Sequence, residues 1–575
     1  MKDEKIIELG SSSMKISALE RRVRRVLDIE PSARLRAIID DSDAKALVRA
    51  MPPQELLITI KQVGEPDAAE LVEMASGEQV RFFTDVEWWI GDALDTKRIL
   101  KWIDLFIECG EEKVIEWLRV VDAELLVTIL RKFILVTKPD EGTKPEKLAD
   151  TAAPYTIDNI YHLHFFSDDA QRIWSRVLVL FASRRYDLYK RLMEGLVWEA
   201  GPETEELAIR WRNGRLRDVG IPDIDEAIEV YRRLDERTFS TLPPKEAPLK
   251  FGDDEVPIRY PLAVAEGERL LLSDALSRID DPEAIDGIAQ ELAHLVNRVM
   301  VADHEDLADA DAIMNAAVKV RATVSMGLEA LASGDADRAA QLARERWLLN
   351  IFQVGYSRAL DIARRAYGMT RRGWIADAPD AVELLGEPLA QIFDGVKRQR
   401  PMWFVGGSEP YRSFLSLGEV AEASKALDKI EYLGELFFHR LKLLEADPSS
   451  WRHKRVHPVD VTFVTVLRTA FANAAVGRGL IFKPLAKSDL KTLLEKAFDE
   501  KPATDGKRKI IDTARADMIA YLEGQGAATN DIEREIRDEF VEHCMNSLES
   551  ELGRIGPTES IDPKFIQGLL IKDEV

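Results

Sequence analysis

An all-α fold is the class this sequence predicts, with short helix pairs leading into larger helical bundles. Three observations predict it. Apolar residues recur at three- and four-residue steps between breaks, strand-like alternation is nearly absent, and the first quarter carries an internal repeat of helix-pair character. The 575 residues are 46% hydrophobic and 31% charged, a composition that builds packed cores.

Residues 281–300 illustrate the helical reading. Asp281 is a good N-cap, and Pro282 follows at the first helical position, where its missing N–H costs nothing. Ile285, Ile288, Leu292, Leu295, Val296 and Val299 then form one apolar stripe. The same argument predicts helices over 167–196, 223–234, 306–332, 336–367, 417–444, 461–475 and 531–552. Only 247–258 offers room for a short hairpin. Proline- and glycine-rich breaks divide the chain into expected segments 1–138, 155–240, 260–400 and 401–575.

In the first segment, Leu47-Val-Arg-Ala-Met-Pro-Pro-Gln-Glu-Leu-Leu, Leu71-Val-Glu-Met-Ala-Ser-Gly-Glu-Gln-Val-Arg and Trp117-Leu-Arg-Val-Val-Asp-Ala-Glu-Leu-Leu-Val superpose without gaps. Each ends one helix on an apolar pair, turns, and opens a second helix with Glu or Gln in its first turn, where acids suit the helix dipole. Units of this kind bury their apolar faces only by stacking, so a superhelix of right-handed type is expected over 1–138. The pattern resembles the short-helix superhelical repeat of the cytosolic N-terminal domain of the magnesium transporter MgtE. Over nearly its whole length the chain also resembles a family of large cytoplasmic bacterial proteins without assigned function. That second likeness rests on the repeat, Trp88-Trp89, the stretch from Glu206 to Asp223 around Arg210-Trp-Arg-Asn-Gly-Arg, Phe352-Gln-Val-Gly-Tyr-Ser and Pro410-Tyr-Arg-Ser-Phe. Neither resemblance implies a catalytic residue.

Charge narrows the partners. Lys+Arg number 79 and Asp+Glu 102, a net charge of −23, so the average surface repels phosphate backbones and a nucleic-acid partner is disfavoured. Basic residues nonetheless cluster at Arg21, Arg22, Arg24 and Arg25 and again between Arg210 and Arg217. For so acidic a chain, pairing with its own carboxylates is the first use of such clusters, and an anionic partner the second. Trp88, Trp89, Trp102 and Trp117 are read first as packing between repeats and second as anchors for a partner. Trp88, Trp89, Arg212, Arg215 and Arg217 are therefore the candidate partner-binding residues.

Metal chemistry would draw on the eight histidines. His162 and His164 can share one face of an extended stretch with Asp168 or Asp169 beyond them. His453 and His457 have i, i+4 spacing, but Pro458 opposes a helix there and Arg452, Lys454 and Arg455 repel a cation. A divalent cation is the cofactor these pairs or the acidic clusters would take. Phosphate-loop patterns are absent, and Gly406-Gly407-Ser-Glu-Pro reads as a tight loop. Cys109 and Cys544 fit no disulfide framework and are expected as small hydrophobes in a reducing compartment. With no signal-like apolar core near the start and no membrane-length apolar run, the chain is expected in the cytoplasm. The leading expectation is a helical interaction or regulatory scaffold with a protein partner, self-association being compatible with it. The alternatives are a divalent-metal-dependent enzyme or cation sensor, and a superhelix acting in trans on a transporter.

Overall fold

Successive prolines open the helix Pro53–Val63, with Pro53 at its first position where no donor is needed. In front of it the helix Ala44–Ala50 is capped by the Asp43 carboxylate, which accepts from the Ala46 N–H at 3.3 Å. The same two-helix plan recurs as Ala69–Met74 with Gly77–Glu87, and as Glu111–Val120 with Ala123–Arg131. In all three the joint is two extended residues, Met51-Pro52, Ala75-Ser76 and Val121-Asp122, with φ between −55° and −76° and ψ between 137° and 162°.

A helix end leaves carbonyls without intrahelical partners. Here the following unit supplies donors. The Gln79 side-chain amide donates to the Val48 and Met51 carbonyls at 2.8 Å each, while its carbonyl accepts from the Ser76 N–H to complete a capping box. One unit later, the buried Lys113 ammonium donates to the Ala75 carbonyl at 2.7 Å.

This computed structural model describes residues 18–64, 67–138, 155–198, 201–245, 258–263, 270–443, 460–502, 506–526, 528–556 and 562–572. The chain forms two compact units, Met1–Ser357 and Arg358–Val575. Among the described residues it is predominantly helical, and its strands pair only in twos. The boundary falls inside the expected 260–400 segment.

In the first unit one hydrophobic core runs from Val23 to Ile221 and takes in Ala308. Its centre is a chain of aromatic contacts. Trp117 meets Trp88 edge-on at 5.7 Å between ring centroids and lies 6.0 Å from Phe106 and 6.4 Å from Trp174. Trp174 in turn meets Phe133 at 5.8 Å. Trp88, Trp89, Trp102 and Trp117 are all buried, so core packing is their use in this fold.

Two of the expected long helices are helix pairs. The stretch 167–196 divides into Asp168–Arg184 and Tyr186–Trp198, and 336–367 into Ala336–Glu345 and Leu348–Arg371. A single non-helical residue, Arg185 at φ −146° and ψ 62°, makes the first break. Neither break carries Gly or Pro, and the apolar spacing continues across both, so periodicity alone reads through them.

Beyond the first core, Pro282–Ala302 begins as expected, with Asp281 accepting from the Glu283 N–H at 3.1 Å. It packs on Ala310–Ala332, whose start Asp309 caps. Gly327 and Gly355 let two helices approach closely: a Cβ on Gly355 would lie 2.1 Å from the Thr323 carbonyl oxygen. Position 355 therefore requires glycine.

In the second unit, Leu417–Gly434 continues into a π-helical turn, Glu435–Arg440. Gly434 leaves room for the Trp374 indole, which donates to the Ile430 carbonyl at 3.2 Å. Phe437 from that turn stacks on Phe463 at 4.5 Å. The Gly406-Gly407 stretch is the tight loop expected, at φ 78° and 82°, joining the paired strands Trp403–Phe404 and Tyr411–Arg412. The 247–258 hairpin expectation lies outside the described residues except for Ile258. No described helix is long and apolar enough to cross a membrane.

Candidate functional site

The helix Gly201–Asp218 lies against Ala123–Arg131, with Arg212 and Arg215 turned inward and Arg210 and Arg217 exposed. Arg212 is 6% exposed. Its Nε donates to the Asp85 carbonyl at 2.7 Å, and its guanidinium sits 5.0 Å from the Trp89 ring centre. Arg215 grips the Asp85 carboxylate with two bonds, 2.7 and 2.8 Å, and reaches Asp122 in the third joint at 2.6 Å. Arg217 pairs with Asp223. Burial pushes the Arg212 guanidinium down to about 10, with Asp85 and Asp92 opposing the shift. It remains charged at neutral pH.

Burial also raises the Asp85 carboxyl, against the donation from Arg215. In the other basic cluster Arg22 pairs with Asp41, and Arg24 with Glu20 and Asp286, while Arg25 is exposed. Of the five residues expected to meet a partner, Trp88, Trp89, Arg212 and Arg215 are thus engaged within the chain, while Arg217 is exposed and its pair with Asp223 lies in water. The exposed aromatics nearby are instead Trp198, at 61%, and Trp211, at 54%.

His162 and His164 do fall on one strand, His162–Phe165, paired antiparallel with Ile134–Thr137. The His164 Nε2 lies 3.3 Å from the Thr137 hydroxyl, and burial, then the neighbouring His162, lowers its pKa. Asp168 and Asp169 are in the first turn of the next helix. No group of three or more His, Cys, Asp or Glu able to hold a metal occurs among the described residues. His453 and His457 lie outside them. Both cysteines are free, and burial pushes the Cys109 thiol up to about 11 and Cys544 up to about 12, so neither is an activated nucleophile.

Two concavities of the first unit differ in chemistry. A polar one of about 540 Å³ is lined by Lys61, Glu87, Arg98, Lys101, Trp102 and Asp306, among others. Its charges answer one another: Lys61 pairs with Glu87, which also accepts from the Trp102 indole at 3.1 Å, and Arg98 pairs with Asp306.

The larger, about 740 Å³, opens where the third joint faces the break at Arg185. Ile115, Leu118, Leu126, Val127, Phe181 and Leu192 are part of its apolar lining. Arg119, Arg184, Arg185 and Arg191 stand exposed around it, with Glu112 and Glu124 as the acids of the lining. Arg184 lies 3.5 Å from Glu111 and Arg185 3.6 Å from Asp187. Both pairs are in water and hold their arginines weakly. Arg119 and Arg191 have no ion-pair or hydrogen-bond partner among the described residues. An apolar concavity with a few polar groups at its edge is the usual form of a binding site.

The family model for DUF6178, a family of unknown function, matches residues 11–572. The chain belongs to that family. No curated protein and no solved structure matches it. The arginine-rimmed groove was not singled out by the sequence, although both of its walls were. Its arginines come from positions 119 to 191 and converge only in space.

Proposed function

We propose that this DUF6178 protein is a cytoplasmic helical scaffold that binds a protein partner in the groove beside its third helix pair. The observation that carries the reading is an open apolar concavity with four exposed arginines on a chain of net charge −23. Two further observations support it. The three helix pairs share one joint geometry and touch through Gln79 and Lys113, in keeping with an MgtE-like superhelical stack. The groove's lining side chains are also spread over four helices and two turns, which suits an extended contact better than a reacting centre.

The test is to fill the groove. Ala123 is exposed on its lining, so Ala123→Trp leaves the core untouched. Proximity labelling in the native cell should enrich one or more proteins with the wild-type chain and lose them with A123W at equal expression and equal Tm. Identical labelling by the two chains, or no enrichment by the wild type, overturns the reading.

A further inference from the structure

Resting on that reading, we infer that the groove takes an acidic amphipathic helix, its apolar face on the floor and its carboxylates against the arginine rim.

The shape points to a helix. The walls are Glu111–Val120, Ala123–Arg131 and the ends of Asp168–Arg184 and Tyr186–Trp198. These four helices present side chains to it, and Val121 and Arg185 at the turns complete the lining. No described strand lines the groove, so a partner strand would meet no sheet edge there, whereas a helix laid in a groove needs only side-chain contact. The lining repeats at helical spacing: Glu112, Ile115 and Arg119 on one wall, Leu188, Arg191 and Leu192 on another. Ridges of this spacing accept the i, i+3, i+4 and i+7 side chains of another helix.

Charge selects the sign of the partner. Four arginines against two glutamates leave the lining cationic on a strongly acidic protein. In the two arginine clusters of the sequence, by contrast, Arg215 is answered by Asp85 and Asp122 and Arg24 by Glu20 and Asp286. Arg119 and Arg191 are left without such a carboxylate. A partner carboxylate on each would complete the pattern and steer the encounter. Nucleic acid is a poor alternative, because the aromatic ring of the lining, Phe181, is 5% exposed and offers bases no face.

The experiment uses the full-length protein and fluorescent synthetic peptides of about 18 residues, five helical turns. One carries leucines along a single face with glutamates flanking them. A second replaces every glutamate with lysine, and a third scrambles the acidic sequence. Anisotropy should show saturable binding of the acidic helix alone, weakening as salt is raised. Affinity should fall by at least about tenfold, 1.4 kcal/mol, in Arg119→Glu/Arg191→Glu. The milder Arg119→Gln/Arg191→Gln, at unchanged Tm, should lie between. Equal binding of the lysine peptide, or an affinity indifferent to both double variants, overturns the inference. So does competition by phosphatidylglycerol vesicles in place of the peptide, which would mark the groove as a lipid site. If A123W abolishes partner labelling while the acidic helix does not bind, the acidic partner fails and the groove stands. If labelling is indifferent to A123W, the groove reading itself fails.

Discussion

Two arginine-bearing regions of the first unit are put to opposite uses. Along Gly201–Asp218, Arg212 and Arg215 are close in sequence and end up in the interior, held by Asp85, Asp122 and the Trp89 ring. Around the groove, Arg119, Arg184, Arg185 and Arg191 come from three helices and a turn and end up together in water. A run of basic residues is therefore a poor guide to a contact surface. Density along the chain raises the chance that one helix face is pressed against acidic neighbours, which neutralise it. Residues brought together by packing of separate helices keep their charge exposed unless a carboxylate happens to be placed beside them.

The buried arginine gives the largest expected effect. Arg215→Ala strands the Asp85 carboxylate, which is 2% exposed, without its bidentate partner. Urea unfolding should show the first unit destabilised by about 3–5 kcal/mol, the usual result of removing one partner of a buried pair. A loss below about 1 kcal/mol would mean that Asp85 finds another donor or accepts a proton.

A second effect is smaller and depends on pH. The turn after the arginine helix passes Gly220, whose carbonyl accepts from Asn297 at 3.1 Å and which lies against the His294 ring. Burial, then Arg298, lowers the pKa of His294 below its ordinary 6.5, and Gln290 is its hydrogen-bond neighbour at 3.0 Å. Between the folded and unfolded pKa values the unfolded chain binds more protons, so stability rises with pH there and is lost as pH falls through 6.5. The slope cannot exceed about 1.4 kcal/mol per pH unit for one proton. Thermal unfolding of wild type and His294→Gln from neutral to mildly acidic pH should show the variant's Tm less dependent on pH in that window. Parallel curves would assign the dependence to other groups.

The smallest effect sharpens the contrast. Arg119→Ala and Arg191→Ala should each change stability by no more than about 0.5 kcal/mol, as exposed side chains without partners do. A larger loss in urea would show that these arginines serve the fold and would remove them from the rim.

Much of the local structure was legible from residue types. Asp281 with Pro282 starts a helix where it should, and the three aligned segments each form two helices about a two-residue joint. The break at Arg185 was not legible, because a single non-helical residue leaves the apolar spacing on either side almost in phase. It is that break which brings Arg184, Arg185 and Leu188 to the groove. Of the candidate site residues, the tryptophans were correctly weighed as core first. Of the arginines between 210 and 217, Arg215 and Arg217 pair with carboxylates of the same chain, whereas Arg212 is held by backbone carbonyls and the Trp89 ring and Arg210 is exposed.

The sequence by itself determined the helical class, the caps, the apolar faces and the sign of the overall charge, since these follow from spacing and from local hydrogen bonding. Which arginines are spent inside and which face water was decided by tertiary packing alone. A guanidinium's environment depends on carboxylates and rings contributed by distant segments, such as Asp85 and Trp89 for Arg212 and Arg215, and no spacing along the chain encodes that distance in space.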